Sequence, residues 1–128
     1  MGMKKISFFI MLLVLSACSK KSAPVPDATV LYHFSGSTEA TYQVGYIDSD
    51  GKPVSTKFTG TTWSKTITAN KASGFTNAVL SIVLTSPATV ITGSADISVN
   101  NKISSQVPLN FNSGNGSTDL TFFAKVFK

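Results

Sequence analysis

Apolar and polar residues alternate at every second position through most of this chain of 128 residues. The alternation begins near Val30 and recurs as far as Val126, and threonine, valine, isoleucine and aromatic residues dominate it. A period of two places successive side chains on opposite faces of a β-strand, and beyond Pro26 no segment has the 3.6-residue period of an amphipathic helix. The sequence therefore predicts an all-β domain.

Eight alternating or apolar segments are separated by turn residues: 30–34, 42–46, 54–58, 63–69, 78–85, 90–99, 102–109 and 120–126. The segment 78–85 is nearly continuous in apolar residues, which is typical of a central strand buried on both faces. The segments 48–53 (Asp-Ser-Asp-Gly-Lys-Pro) and 100–101 (Asn-Asn) have the composition of hairpin turns. Seven or eight short strands with turns every eight to twelve residues predict an immunoglobulin-like antiparallel β-sandwich over residues 29–128.

The amino terminus has the pattern of a lipoprotein signal. Two lysines precede an apolar run from Ile6 to Leu15, and Ser16-Ala17-Cys18 follows directly. The run is about half the roughly 20 residues that a membrane-spanning helix needs. The segment resembles a bacterial lipobox, which implies a diacylglyceryl thioether on Cys18, cleavage before it and acylation of the new amino group. Residues 1–17 are thus predicted to be the signal peptide.

Residues 18–28 are predicted to be the lipid anchor and a linker. Pro24 and Pro26 oppose helix and strand formation, and the residues between Ser19 and Ala23 are small or basic. The predicted location is the cell envelope, with the protein held on a membrane by the lipid on Cys18. Ser19 differs from the aspartate that resembles an inner-membrane retention signal, which favours the outer membrane in a cell with two.

The charge and the cysteine content argue against a nucleic-acid partner and against sites that need a free thiol. Loss of residues 1–17 lowers the net charge from +5 to +3, which is nine lysines against six carboxylates, and the chain has no arginine. Nucleic-acid recognition favours arginine, so we expect no nucleic-acid partner. Cys18 is the single cysteine, and its lipidation leaves no thiol for a disulfide, a metal or a nucleophile. We expect no cofactor.

Two polar features of the sequence resemble chemical sites. His33, the single histidine, lies on the opposite strand face from Tyr32 and Phe34, without a nucleophile motif. The segment 48–51 (Asp-Ser-Asp-Gly) begins like a calcium loop, but lysine and threonine occupy its fifth and twelfth positions. The hairpin interpretation is therefore favoured. We expect no catalytic residue and no metal site, and hence no enzyme.

The aromatic residues are the candidate interaction sites. Trp63 is the single tryptophan; it fits either a core position between two sheets or a carbohydrate-stacking platform assisted by Tyr42 or Tyr46. Alternation places Phe123 and Phe127 together on the face opposite Phe122. If that face is exposed it is a contact surface, and the alternative is packing within the domain.

Several segments together resemble the mycobacterial membrane protein small (MmpS-like) family: Tyr32, 35–37 (Ser-Gly-Ser), 47–51, 63–68 (Trp-Ser-Lys-Thr-Ile-Thr), 74–75, 79–81 and 97–103. The resemblance implies a β-sandwich that acts as an accessory subunit of an efflux transporter of the resistance-nodulation-division class. The chain departs from the family in having a lipid anchor instead of a transmembrane helix, and in lacking the family's cysteine pair.

The leading functional prediction is a lipid-anchored envelope protein whose domain binds another envelope component, through exposed strand edges and the aromatic carboxy-terminal segment. An accessory role in an efflux transporter is one form of this prediction. The alternative is a carbohydrate or cell-surface binding module. The exposure of Trp63 distinguishes them, because a stacking platform must be open to solvent.

Overall fold

The computed structural model describes residues 27–87 and 90–127. The predicted signal peptide, Cys18 and most of the linker lie outside the described residues. Within them the chain forms six strands: β1 (Ala28–Ile47), β2 (Pro53–Ala69), β3 (Asn77–Leu84), β4 (Val90–Val99), β5 (Lys102–Asn112) and β6 (Asp119–Lys125). Single turns of 3-10 helix follow β2 at Lys71–Ser73 and β5 at Ser113–Asn115. The prediction of an all-β domain is confirmed.

All strand pairs are antiparallel, in the order β5-β4-β1-β3-β6, with β2 paired to β1. The first half of β1 pairs with β4 and its second half with β3, while β2 accompanies β1 along both halves. The sheet therefore has two halves that share the β1–β2 hairpin. At the ends of the order, β5 and β6 have Cα atoms within 8 Å of each other, which gives the domain a nearly barrel-like form.

A bend in β1 brings the two halves together. The rings of Tyr32 and Tyr46, which lie in the same strand, have centroids 5.5 Å apart. A straight strand would separate residues at these two positions by about 46 Å, at roughly 3.3 Å per residue. The fold-back occurs between Ser35 and Ala40, where the register against β2 shifts. A β-bulge of this kind bends a strand without ending it.

The same bend explains why the described residues contain six strands and not the seven or eight expected. The predicted segments 30–34 and 42–46 are the two halves of β1, and 54–58 and 63–69 are the two halves of β2. The small and polar residues 35–40 interrupt the apolar alternation, although the backbone remains extended through them. The prediction that a strand ends where the alternation is lost is therefore wrong for β1 and β2.

The core fills the space between the two halves and is rich in aromatic residues. The largest fully buried side chains are Tyr32, Tyr42, Phe34, Phe111, Leu80 and Ile82, followed by Ile91, Ile97, Leu109, Val30 and Val44. The rings of Phe34 and Tyr42 meet edge to face, with centroids 5.1 Å apart. Most of these residues occupy alternate positions on their strands, as the period of two requires.

β3 lies inside the sheet, between β1 and β6, as a central strand does. Its burial nevertheless alternates: Ala78, Leu80 and Ile82 are fully buried, whereas Val79 and Val83 are only half-buried. The prediction of burial on both faces was therefore wrong. The apolar residues of its outer face instead form part of the molecular surface.

Both predicted hairpin turns are confirmed. Asp48 accepts hydrogen bonds through Oδ1 from the backbone amides of Asp50 (3.0 Å) and Lys52 (2.9 Å), so its carboxylate stabilises the turn. Asn100 and Asn101 have φ angles of 52° and 68°. Two successive positive φ angles are the requirement of a type I′ turn, which matches the twist of the flanking strands.

Candidate functional site

Phe123 is the most exposed large aromatic side chain in the described part of the chain. On β6 the neighbouring Phe122 points into the core, so alternation turns Phe123 outward, where 66% of its surface is exposed. Val79 of β3 is its cross-strand partner and also faces outward. Phe123 and Val79 therefore form an apolar patch on the outer surface of the sheet, on the half that contains β3 and β6.

A depression of about 260 Å³ lies on the other side of Val79. Its floor is Gly45 of β1, which stands between Ser55 of β2 and Ser81 of β3. Its lining also includes Tyr46, Ile47, Pro53, Val54 and Val79. Because Gly45 has no side chain, the surface is hollow at the point where β2, β1 and β3 run side by side. We call the depression together with Phe123 the outer apolar surface.

The fold does not need the glycine at position 45. A Cβ atom there would lie 3.5 Å from the Cβ of Ser81 and 3.7 Å from the carbonyl oxygen of Val54, which are ordinary contacts. The hollow can therefore be filled by substitution while the backbone is retained. This property makes the outer apolar surface open to a direct test.

Hydroxyl groups form a polar rim around this surface. The Thr121 hydroxyl donates to the Ser81 hydroxyl at 3.3 Å, and the Gln43 side-chain amide donates to the Ser55 hydroxyl at 2.6 Å. None of the described residues that line the depression carries a charge. An apolar floor with a neutral polar rim suits a protein surface or an apolar ligand better than an ion.

Phe127 does not share a surface with Phe123, contrary to the prediction from alternation. β6 ends at Lys125, and the Val126 amide donates to the carbonyl oxygen of Thr76 at 3.0 Å. Phe127 is half-buried against the core, and Lys71 Nζ lies 5.8 Å from the centroid of its ring. The alternation ends with the strand, so it no longer determines where Phe127 points.

Trp63 lies at the margin of the core. It is half-buried, its ring stacks on Phe34 with centroids 5.7 Å apart, and the ring of Tyr46 lies 5.8 Å from it. Tyr42 is fully buried, so its ring is not available as a stacking platform. Of the three aromatic residues considered for carbohydrate stacking, only Trp63 and Tyr46 reach the surface.

His33 faces outward and contacts a carboxylate that was not singled out from the sequence. Its Nδ1 lies 3.1 Å from Oδ2 of Asp96, the cross-strand partner on β4. Ser64 is the cross-strand partner of His33 on β2. Within 27–87 and 90–127, no three His, Cys, Asp or Glu side chains converge as metal ligands would. The available signal for Asp96 in the sequence was a carboxylate between the apolar residues Ala95 and Ile97. In the structure Asp96 is itself largely buried, with 9% of its surface exposed.

β2 exposes one edge, because among the described strands it pairs only with β1. The edge begins at a proline and carries Lys57 and Lys65, both exposed. Proline and lysine on an edge strand oppose the addition of another strand. The edge of β2 is therefore a weaker candidate for a contact than the outer apolar surface.

No model of a known protein family matches the chain, and no curated protein is significantly similar to it in sequence. The described residues contain no helix long and apolar enough to cross a membrane.

Proposed function

We propose that this chain is a lipid-anchored cell-envelope protein whose domain binds another envelope component through the outer apolar surface. One observation carries the proposal: Phe123 is 66% exposed beside an uncharged apolar depression. Burial of a phenylalanine side chain contributes about 1.5–3 kcal/mol, so its exposure in the free protein is a cost that a partner would remove. Aromatic residues are also enriched in protein interfaces.

The anchor in this proposal rests on the sequence. Cys18 follows a short apolar run and small residues, in the order of a lipobox. A lipid on Cys18 would confine the domain to a membrane surface and restrict its partners to other envelope components. Two or more acyl chains are sufficient for stable anchoring. The outer membrane is the proposed site where a cell has two membranes.

The resemblance to the MmpS-like family supports a more specific form of the proposal, in which the partner is an efflux transporter of the resistance-nodulation-division class. The two facing halves of the sheet also support classifying the domain as an immunoglobulin-like β-sandwich. Similar folds serve many functions, so the transporter is proposed from the resemblance and the contact surface from the geometry. We assign no catalytic step to the domain.

A carbohydrate or cell-surface binding module is the second candidate. The half-buried pair of Trp63 and Tyr46 favours it, because sugars stack on aromatic rings at a surface. One face of Trp63 already stacks on Phe34, and Tyr42 is fully buried. Fewer aromatic faces are therefore available than the sequence suggested, and the outer apolar surface is the better-supported site.

Site-specific photo-crosslinking in intact cells tests the leading proposal. Benzoylphenylalanine replaces Phe123 in the full chain, and the matched control carries it at Val90, which is 51% exposed on β4. We expect a discrete covalent adduct from position 123 and none from position 90. Filling the depression with Gly45→Leu should weaken the adduct at position 123, whereas Val90→Ser should leave it unchanged.

The identity of the adduct separates the candidate functions. A transporter subunit would support the accessory role, and a different envelope protein would support partner binding alone. Equal adducts at positions 123 and 90, or none at either, would contradict the outer apolar surface as the contact. Retention on peptidoglycan or polysaccharide that depends on Trp63 would favour the carbohydrate-binding module.

A further inference from the structure

A second depression, of about 560 Å³, lies at one end of the domain, between the β4–β5 turn and the carboxy-terminal end of β6. Lys102 and Lys125 line it together with the apolar residues Ile103, Val126 and Phe127. Ile103 is 60% exposed. The described lining contains two cations and no carboxylate, so its electrostatic preference is for an anion with an apolar part.

The amino-terminal end of β1 adjoins this depression. Asn100, which lines it, donates its backbone amide to the carbonyl oxygen of Thr29 at 2.8 Å and accepts from the Thr29 amide through Oδ1 at 3.0 Å. Asp27 is nine residues after Cys18. Nine residues span at most about 32 Å, so a lipid on Cys18 keeps this end of the domain close to the membrane.

The carboxylate of Asp27, immediately before β1, is also at this end, but it does not line the depression, whose described lining has two lysines and no carboxylate. Lys71 lies beside Phe127 and adds a third cation. Asp48 and Asp50 belong to the β1–β2 turn and do not line the depression, and Asp48 Oδ1 accepts two hydrogen bonds from its own turn. We call Lys71, Lys102, Ile103 and Lys125 the basic end.

We propose that the basic end docks on the anionic phospholipid headgroups of the membrane that holds Cys18. The inference rests on the proposed lipid anchor and adds a second, direct contact between the domain and the bilayer. The lysines would lie at the phosphate level and Ile103 would enter the boundary with the acyl chains. Docking would give the domain one orientation, with the bend of β1 at residues 35–40 facing away from the membrane.

Labelling at single cysteines tests the orientation. The lipid on Cys18 consumes the only natural thiol, so a cysteine introduced by Ile103→Cys is the single site for a thiol-reactive environment-sensitive fluorophore. Thr38→Cys, in the exposed bend of β1, is the matched control. The mature lipidated protein is reconstituted in phosphatidylcholine vesicles, with or without phosphatidylglycerol, and quenching by spin-labelled lipids is measured.

We expect strong quenching at position 103 only in vesicles that contain phosphatidylglycerol, and little quenching at position 38 in either. Added salt should reduce the quenching at position 103, because screening weakens contacts between exposed charges. Each lysine near an anionic surface contributes about five-fold to binding, so Lys102→Gln with Lys125→Gln should weaken docking roughly 25-fold. Lys57→Gln with Lys65→Gln removes the same charge elsewhere and should have a much smaller effect.

Mass spectrometry of the purified chain separates two kinds of failure. Suppose that Cys18 carries lipid but positions 103 and 38 are quenched equally, or that the two double variants weaken docking by the same factor. Docking of the basic end is then wrong, whereas the proposed lipid anchor stands. If Cys18 carries no lipid, the proposed anchor is wrong and the docking inference fails with it.

Discussion

Tyr32 and Tyr42 are both fully buried, but their hydroxyl groups differ in hydrogen bonding. The Tyr32 hydroxyl donates to the carbonyl oxygen of Ile47 at 2.8 Å. The β1–β3 ladder ends at Tyr46 and Leu80, so this hydroxyl binds a carbonyl oxygen of β1 one residue beyond the end of the ladder. The Tyr42 hydroxyl has no partner among the described residues.

The same substitution should therefore have opposite effects at the two positions. Tyr32→Phe removes one hydrogen bond of about 1 kcal/mol, so we expect the free energy of unfolding to fall by about 1 kcal/mol. Tyr42→Phe removes a buried polar group without a partner, whose burial costs about 1–3 kcal/mol. We expect Tyr42→Phe to raise the free energy of unfolding by about 1 kcal/mol, which separates the two variants by about 2 kcal/mol.

Urea unfolding of the two variants measures this difference. Both are made in the Cys18→Ser background to exclude the lipid, and the fluorescence of Trp63 reports the transition because its ring stacks on Phe34. With a slope of about 1–3 kcal/mol per molar urea, the two midpoints should lie at least about 0.7 M apart. Equal midpoints, or a lower midpoint for Tyr42→Phe, would refute the assignment of the two hydroxyl groups.

Three further predictions concern the surface, the bend and alkaline pH. Phe123→Ser should change the free energy of unfolding by less than about 0.5 kcal/mol, because the ring is largely exposed; a large loss in thermal unfolding would show that the ring packs within the domain. Gly93→Ala should cost more than about 3 kcal/mol, because its Cβ would overlap the carbonyl oxygen of Ser35; near-wild-type thermal stability would contradict this packing. Burial raises the pKa of Tyr32 and of Tyr42 above that of an unfolded tyrosine, about 10, so ionisation favours the unfolded chain. Stability should be unaffected by these groups below about pH 10 and fall as the pH rises further; a flat profile from pH 9 to 12 in chemical unfolding would contradict it.

Local sequence patterns were sufficient for much of the fold. The period of two identified the strands, and the turn residues at 48–53 and 100–101 placed two hairpins correctly. The same alternation predicted that His33 would face away from the core, as it does. These features depend on backbone geometry within a few residues, so the sequence of each segment contains the information that decides them.

The candidate site was only partly predictable. Alternation placed Phe123 outward, but the depression at Gly45 depends on which residues of β2 and β3 lie beside it. The fate of Phe127 depended on where β6 ends. Asp96 becomes the partner of His33 only because β4 pairs with β1 in that register. Each of these contacts joins residues from different strands, so no local pattern could specify it.

The sequence by itself determined the strand-forming segments, their inward and outward residues and the two hairpin turns. Only the tertiary structure decided that β1 and β2 continue through the bend, that Tyr42 is buried while Phe123 is exposed, and that Lys102 and Lys125 meet at one end. The physical reason is the range of the interactions. Alternation and turn conformation are properties of neighbouring residues, whereas a bulge, a buried ring and a cluster of charges are stabilised or created by strands distant in the chain.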